Sequence, residues 1–104
     1  MEKQYKLMNM LKVLREKSIF LDKKLTDLEV DIELAIKNGG ISTAKMIIDN
    51  LIIEAQNLKN KIYDLLIKDQ QEENFNEAYQ TLSLFDFSLK IENKLYEIRE
   101  RNDI

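Results

Sequence analysis

Apolar side chains recur along the first third of the chain at alternating spacings of four and three: Leu7, Leu11, Leu14, Ser18, Leu21, Leu25, Leu28, Ile32 and Ala35. Residues so spaced share one stripe of an α-helix, and four repeats of the pattern make a heptad seam whose one polar member is Ser18. Met8, Met10, Val13, Phe20 and Ile36 widen the stripe. That breadth suits a helix packed against two neighbours better than a two-stranded zipper. Lys37-Asn38-Gly39 then gives a basic last turn followed by residues that tolerate positive φ. A first helix is predicted over residues 2–37.

Ser42 is a candidate cap for a second helix, with Ile41 and Met46 spaced as a hydrophobic staple across its start. The second seam runs through Ala44, Ile48, Leu51, Ala55, Leu58, Ile62 and Leu65. Ile47, Ile52, Ile53, Leu66 and Ile67 make this the most apolar stretch, which places it at the centre of the molecule. It is predicted over residues 42–68. The polar run Asp69-Gln70-Gln71-Glu72-Glu73 stops the pattern with neither Gly nor Pro, so residues 69–74 read equally as a loop or a bend. Asn74 followed by Glu77 has the spacing of a capping box and opens a third helix, predicted over residues 74–101. Its seam reads Phe75, Ala78, Leu82, Phe85, Leu89 and then slips to Ile91, Leu95, Ile98, in the manner of a stutter. The slip leaves Leu84, Phe87 and Tyr96 off the stripe, where they are candidates for contact outside the monomer.

Three long helices joined by short connections specify an all-α fold, a three-helix antiparallel bundle of up-down-up topology forming a single domain over residues 1–104. Charge supports the topology. Residues 1–24 carry seven Lys/Arg against three acids, whereas residues 25–36 carry Asp27, Glu29, Asp31 and Glu33 and no base. That order opposes the helix macrodipole, so a neighbour is needed to compensate it. The third helix runs from an acidic start to a more basic end and supplies the match if it lies parallel to the first. An antiparallel pairing of two copies of the first helix satisfies the same charges.

Composition narrows the chemistry. The 104 residues include no Cys, His, Pro or Trp, which excludes disulfides, thiolate nucleophiles, imidazole bases and Cys/His zinc sites. Carboxylate pairs at helical spacing, Asp27 with Asp31 and Glu29 with Glu33, lie off the apolar seam and read as a solvated face; no metal or other cofactor is expected. Sixteen Lys+Arg against nineteen Asp+Glu give a net charge of −3, the wrong sign for a dedicated nucleic-acid binder. Lys12, Arg15, Lys23 and Lys24 around Phe20 accordingly read as a solvated helix surface rather than a nucleic-acid strip. The apolar runs are far shorter than the roughly 18 residues of a membrane span, and the first residues are too polar to lead into a signal sequence. A cytoplasmic protein without membrane contact is expected.

Leu14-Arg15-Glu16-Lys17 followed by Leu21-Asp22-Lys23-Lys24-Leu25 resembles the first helix of the small all-helical chorismate mutases, with similar length and three-helix plan. The resemblance implies an enzyme whose Arg15 is the first of several cations holding a dicarboxylate substrate. It covers some dozen residues, and Ile32 stands where that family's next arginine falls. Length and plan are also similar to those of compact helical chaperones such as tubulin-binding cofactor A, without their sequence signature.

The reading the residues favour is a noncatalytic protein–protein interaction module, an adaptor, chaperone-like holder or inhibitor that presents a helical face to a partner protein. Candidate apolar anchors are Met10, Leu84, Phe87, Ile91 and Tyr96, with Arg15, Lys23, Glu72 and Glu73 at the rim. Two alternatives are a phage- or mobile-element-encoded inhibitor of a host enzyme such as a nuclease, and a structural coiled-coil homo-oligomer, such as a homodimer, that uses Ser18 to fix register.

Overall fold

A computed structural model describes residues 2–104 as three helices, α1 (Glu2–Lys37), α2 (Ile41–Gln71) and α3 (Phe75–Arg101), with no strand among them. Met1 lies outside the described residues. Side-chain pairs define the topology. Lys3 pairs with Glu72 and Lys24 with Glu54, so α1 and α2 are antiparallel. Lys59 pairs with Glu92 and Gln56 with Tyr96, so α2 and α3 are antiparallel too. Arg15 meets Gln80 and Glu29 meets Arg101, so α1 and α3 run parallel, up-down-up. The Glu29–Arg101 pair joins the acidic half of α1 to the basic end of α3, as the charge gradient requires. At about 1.5 Å per residue the 36 residues of α1 account for the 55 Å length of a molecule only 18 Å by 16 Å across.

All three helices end in the same way. Gly39 (φ 77°), Glu73 (φ 55°) and Asp103 (φ 55°) adopt the left-handed conformation just past each C-terminus. At the first end, Gly39 N–H donates to the Ile36 carbonyl at 3.0 Å and Gly40 N–H to the Ala35 carbonyl at 2.7 Å; the other two ends repeat this pairing. These are the paired bonds of the Schellman motif. Gly40 also sits close to the preceding helix end, since a Cβ there would stand 3.0 Å from the Ala35 carbonyl oxygen, a tight contact that the backbone would have to ease. The helix starts differ from expectation. Gly40, not Ser42, is the N-cap of α2, and Ile41 and Met46 are both more than half exposed, so no staple forms. Residues 69–71 continue α2, and the break is the short turn Glu72–Asn74. Asn74 is the N-cap of α3, but its side chain makes no capping bond.

The core is built from one stripe per helix. On α1 it is Leu7 to Ile32, with Ser18 fully buried and its hydroxyl donating to the Leu14 carbonyl at 2.8 Å. On α2 it is Ala44 to Leu65, with Ile52 buried more deeply than Leu51 and Asp69 extending the stripe by one turn. The α3 stripe departs from the sequence reading. Its buried positions are Thr81, Leu84, Ser88, Ile91, Leu95 and Ile98, an unbroken alternation of three and four with no stutter, and Glu92 is buried beside them. Ile91, Leu95 and Ile98 set the rotation of the helix, and continuing that register toward the N-terminus passes through Thr81 and Ser88. Small hydroxyl side chains tolerate burial there because each donates to a carbonyl of its own helix, Thr81 to Glu77 and Ser88 to Phe85. Phe75 and Leu82, expected in the seam, are instead exposed. Leu84 and Ile91, expected as outward anchors, are 6% and 2% exposed and belong to the core.

One polar group sits in this core without full compensation. Asp69 is 1% exposed; its Oδ2 lies 2.6 Å from Thr81 Oγ1, and its Oδ1 has no partner. The Thr81 hydroxyl has one hydrogen and is also 2.9 Å from the Glu77 carbonyl. That one hydrogen is shared between Asp69 Oδ2 and the Glu77 carbonyl oxygen, so neither acceptor is fully satisfied. Burial raises the Asp69 carboxyl above its ordinary value, and the Thr81 hydrogen bond offsets this in part.

Two outcomes follow for stability. A carboxyl whose folded pKa is raised binds its proton more tightly in the folded chain, so its contribution improves as pH falls through that folded value toward the unfolded value and worsens as pH rises. Asp69→Asn is therefore expected to be more stable than the parent at pH 7 by about 1 kcal/mol, the scale of an uncompensated buried polar group, with the gap closing toward pH 4 in urea titrations. Glu73→Gly relieves a left-handed L-residue and is expected to gain about 0.5–1 kcal/mol in the same assay, at every pH.

Candidate functional site

The seam of α1 is consumed by the core, and what the helix offers to solvent is a second column seven residues apart: Val13, Phe20, Asp27 and Leu34. Val13 is 48% exposed and Phe20 61%. Both stand over the seam between α1 and α2, where two adjoining grooves of about 540 and 460 Å³ share Val13 and Lys61. Their apolar floor is Met10, Leu14 and Leu58. From Lys6 to Phe20 the groove follows α1 for about 21 Å, four helical turns. At its far end Lys24 Nζ lies 4.8 Å from the centre of the Phe20 ring and 3.4 Å from Glu54 Oε1. This contact holds the ring in place and neutralises one acid of the rim. The remaining charges along the edges are Lys6, Lys17, Lys61 and Lys68 against Glu16 and Asp64, an excess of positive charge in a chain whose net charge is −3.

The residues nominated from sequence do not assemble into one site. Met10 is half-buried and belongs to the groove. Phe87 is half-buried on the α1 side of α3, lining a smaller cleft with Arg15, Ile19 and Gln80. Tyr96 faces the other way, toward α2, where its hydroxyl accepts from Gln56 Nε2 at 2.9 Å. Leu84 and Ile91 are core residues, as described above. Glu72 pairs with Lys3 at 3.7 Å, and Glu73 holds the left-handed position of the α2–α3 turn, so both act at one end of the rod. Lys23 is exposed on α1, outside the groove lining. Val13 and Phe20 read in the sequence as the flank of the α1 stripe and Leu58 as a seam residue of α2, and Lys61 drew no notice, so none of the four was nominated for contact. The signal was present as the recurrence of Val13, Phe20 and Leu34 at multiples of seven.

Arg15 lines its cleft with no second cation and donates to Gln80 at 3.3 Å, so the cation cluster implied by the chorismate mutase resemblance is not assembled around it. Among the described residues no group of three or more acids is placed to hold a metal ion, and no helix is long and apolar enough to cross a membrane. A second exposed apolar surface lies on the α2–α3 side, where Tyr63, Leu82 and Phe75 flank the line between the helices and the Tyr63 ring tilts against Phe85 at 6.1 Å. Comparison with known proteins finds no matching family model, curated protein or solved structure.

Core and groove are separable by substitution. Leu84→Ala is expected to cost about 2–4 kcal/mol in chemical denaturation, the range for deleting a buried leucine side chain. Phe20→Lys is expected to stay within about 0.5 kcal/mol of the parent, because the ring is mostly in water already.

Proposed function

We propose that this chain is a noncatalytic protein-binding module whose α1–α2 groove receives an amphipathic helix of a partner protein. The observation that carries the reading is the exposure of Phe20 and Val13 above an apolar floor that extends over four helical turns. A helix laid in such a groove completes a four-helix arrangement, burying its own apolar stripe against Met10, Val13 and Phe20. The lysine-rich edges favour a partner helix with acidic flanks. Adaptor, holder and inhibitor roles all use this one mode of contact. Lysines and carboxylates flank the groove at exposed positions instead of converging on a point, which suits recognition rather than bond chemistry.

Affinity capture with purified chain tests the reading through its groove dependence. The double variant Val13→Lys, Phe20→Lys is expected to lose a partner that the parent retains, while Tyr79→Lys, on the exposed face of α3, keeps it. A partner retained by the groove variant, or lost only with Tyr79→Lys, refutes the assignment.

A further inference from the structure

Nine asparagines occur in the chain, and Asn38 alone precedes a glycine. Six of the other eight lie inside the three helices, and all eight precede a residue whose side chain crowds the approach to the amide that follows. Asn38 stands between α1 and α2 and is exposed, as is Gly39. The space a Gly39 side chain would take is open, since a Cβ there meets no atom within 4 Å. The amides that follow Asn38 are engaged, Gly39 N–H with the Ile36 carbonyl at 3.0 Å and Gly40 N–H with the Ala35 carbonyl at 2.7 Å. An uncrowded asparagine–glycine pair thus sits in a turn closed by two backbone hydrogen bonds.

We propose that the α1–α2 turn is a site of self-modification, at which Asn38 converts to aspartate and isoaspartate at a rate set by opening of the turn. Asparagine is among the chemically labile side chains, and the reaction needs only water. Hydroxide takes the Gly39 amide proton, the freed nitrogen attacks Asn38 Cγ, and the Cγ–Nδ2 bond breaks. Nδ2 takes up a proton from water and leaves as ammonia, which regenerates the hydroxide. Water then opens the cyclic imide. Addition at Cγ gives aspartate; addition at the main-chain carbonyl gives isoaspartate, with the backbone rerouted through Cβ and Cγ. While Gly39 N–H is bonded to the Ile36 carbonyl its proton is held, so the closed turn suppresses the reaction and local opening releases it. Either product adds a carboxylate at the C-terminal end of α1, where the helix dipole disfavours negative charge. Isoaspartate also lengthens the main chain by one atom, which upsets the register of the Schellman pair.

Peptide mass spectrometry of the chain aged in mildly alkaline buffer is expected to find conversion at Asn38 ahead of every other asparagine. Unfolding in concentrated urea is expected to speed it at least about fivefold, the factor that losing one backbone hydrogen bond corresponds to. Gly40→Ala, which crowds the Ala35 carbonyl without touching the reacting atoms, is expected to speed conversion in the folded chain at unchanged helicity and to leave the rate in urea as it was. Asn38→Gln, which has to close a ring one atom larger, is expected to keep its amide. An Asn38 that stays intact in urea, or that converts no faster than the other asparagines, overturns the site. Equal rates in the folded and unfolded chain, or a Gly40→Ala chain that ages like the parent, overturn its control by the turn.

Discussion

Each of the three helices has a single apolar stripe to hide, and the three stripes close against one another along the axis of the rod. That closure fixes the rotation of every helix, and rotation decides which remaining side chains reach solvent. On α1 it turns Val13, Phe20, Val30 and Leu34 outward; on α3 it turns Phe75 and Leu82 outward and draws Thr81 and Ser88 in. The exposed apolar surface is thus not leftover hydrophobicity scattered at random. It is the complement of the seam, and its position on each helix follows from the packing of the other two.

How much of this could be read from the chain alone depended on whether burial and hydrophobicity coincided. They coincide on α1, where Leu after Leu occupies the seam and Ser18 alone has to be taken in from spacing. They nearly coincide on α2. On the first half of α3 they part company, because the largest apolar residues sit one position after the buried ones. Periodicity followed the greasy side chains, inferred a slip in register and placed Leu84 outside the core, while Ile91, a seam position, was also offered as an outward anchor. The better rule was available at the C-terminal half, where Ile91, Leu95 and Ile98 set a register that runs back without interruption once Ser88 and Thr81 are allowed to be buried. Charge spacing was the more faithful guide to topology: the Glu29–Arg101 pair joins the halves of α1 and α3 whose signs match. The groove went unseen for a physical reason, since it is built from the edges of two seams and the residues beside them on two helices, and exists only once those helices are packed.

Polar groups inside the rod fall into two kinds. Ser18, Thr81 and Ser88 lean back on their own helices and leave no unmet donor. Glu92 is buried but paired with Lys59 at 2.8 Å, a contact that ties α2 to α3 and that truncation of either partner would leave half undone. Asp69 differs, with one oxygen unmet close to the turn where the Asn74 amide nitrogen is also unmet. A carboxyl in that setting trades stability for a fixed arrangement at the end of α2.

The turns that join these helices are very short, Asn38 to Gly40 and Glu72 to Asn74. Chain closure across so few residues costs little entropy, and the contacts on either side of each turn form between residues close in sequence. The α1–α3 meeting joins the two helices that are not consecutive in the chain, and it is the least extensive of the three helix pairings. A topology of this kind has low contact order and belongs with the helical bundles that fold in microseconds to milliseconds. In such a bundle α2 is common to both local hairpins, and whichever forms first offers a ready template to the third rod.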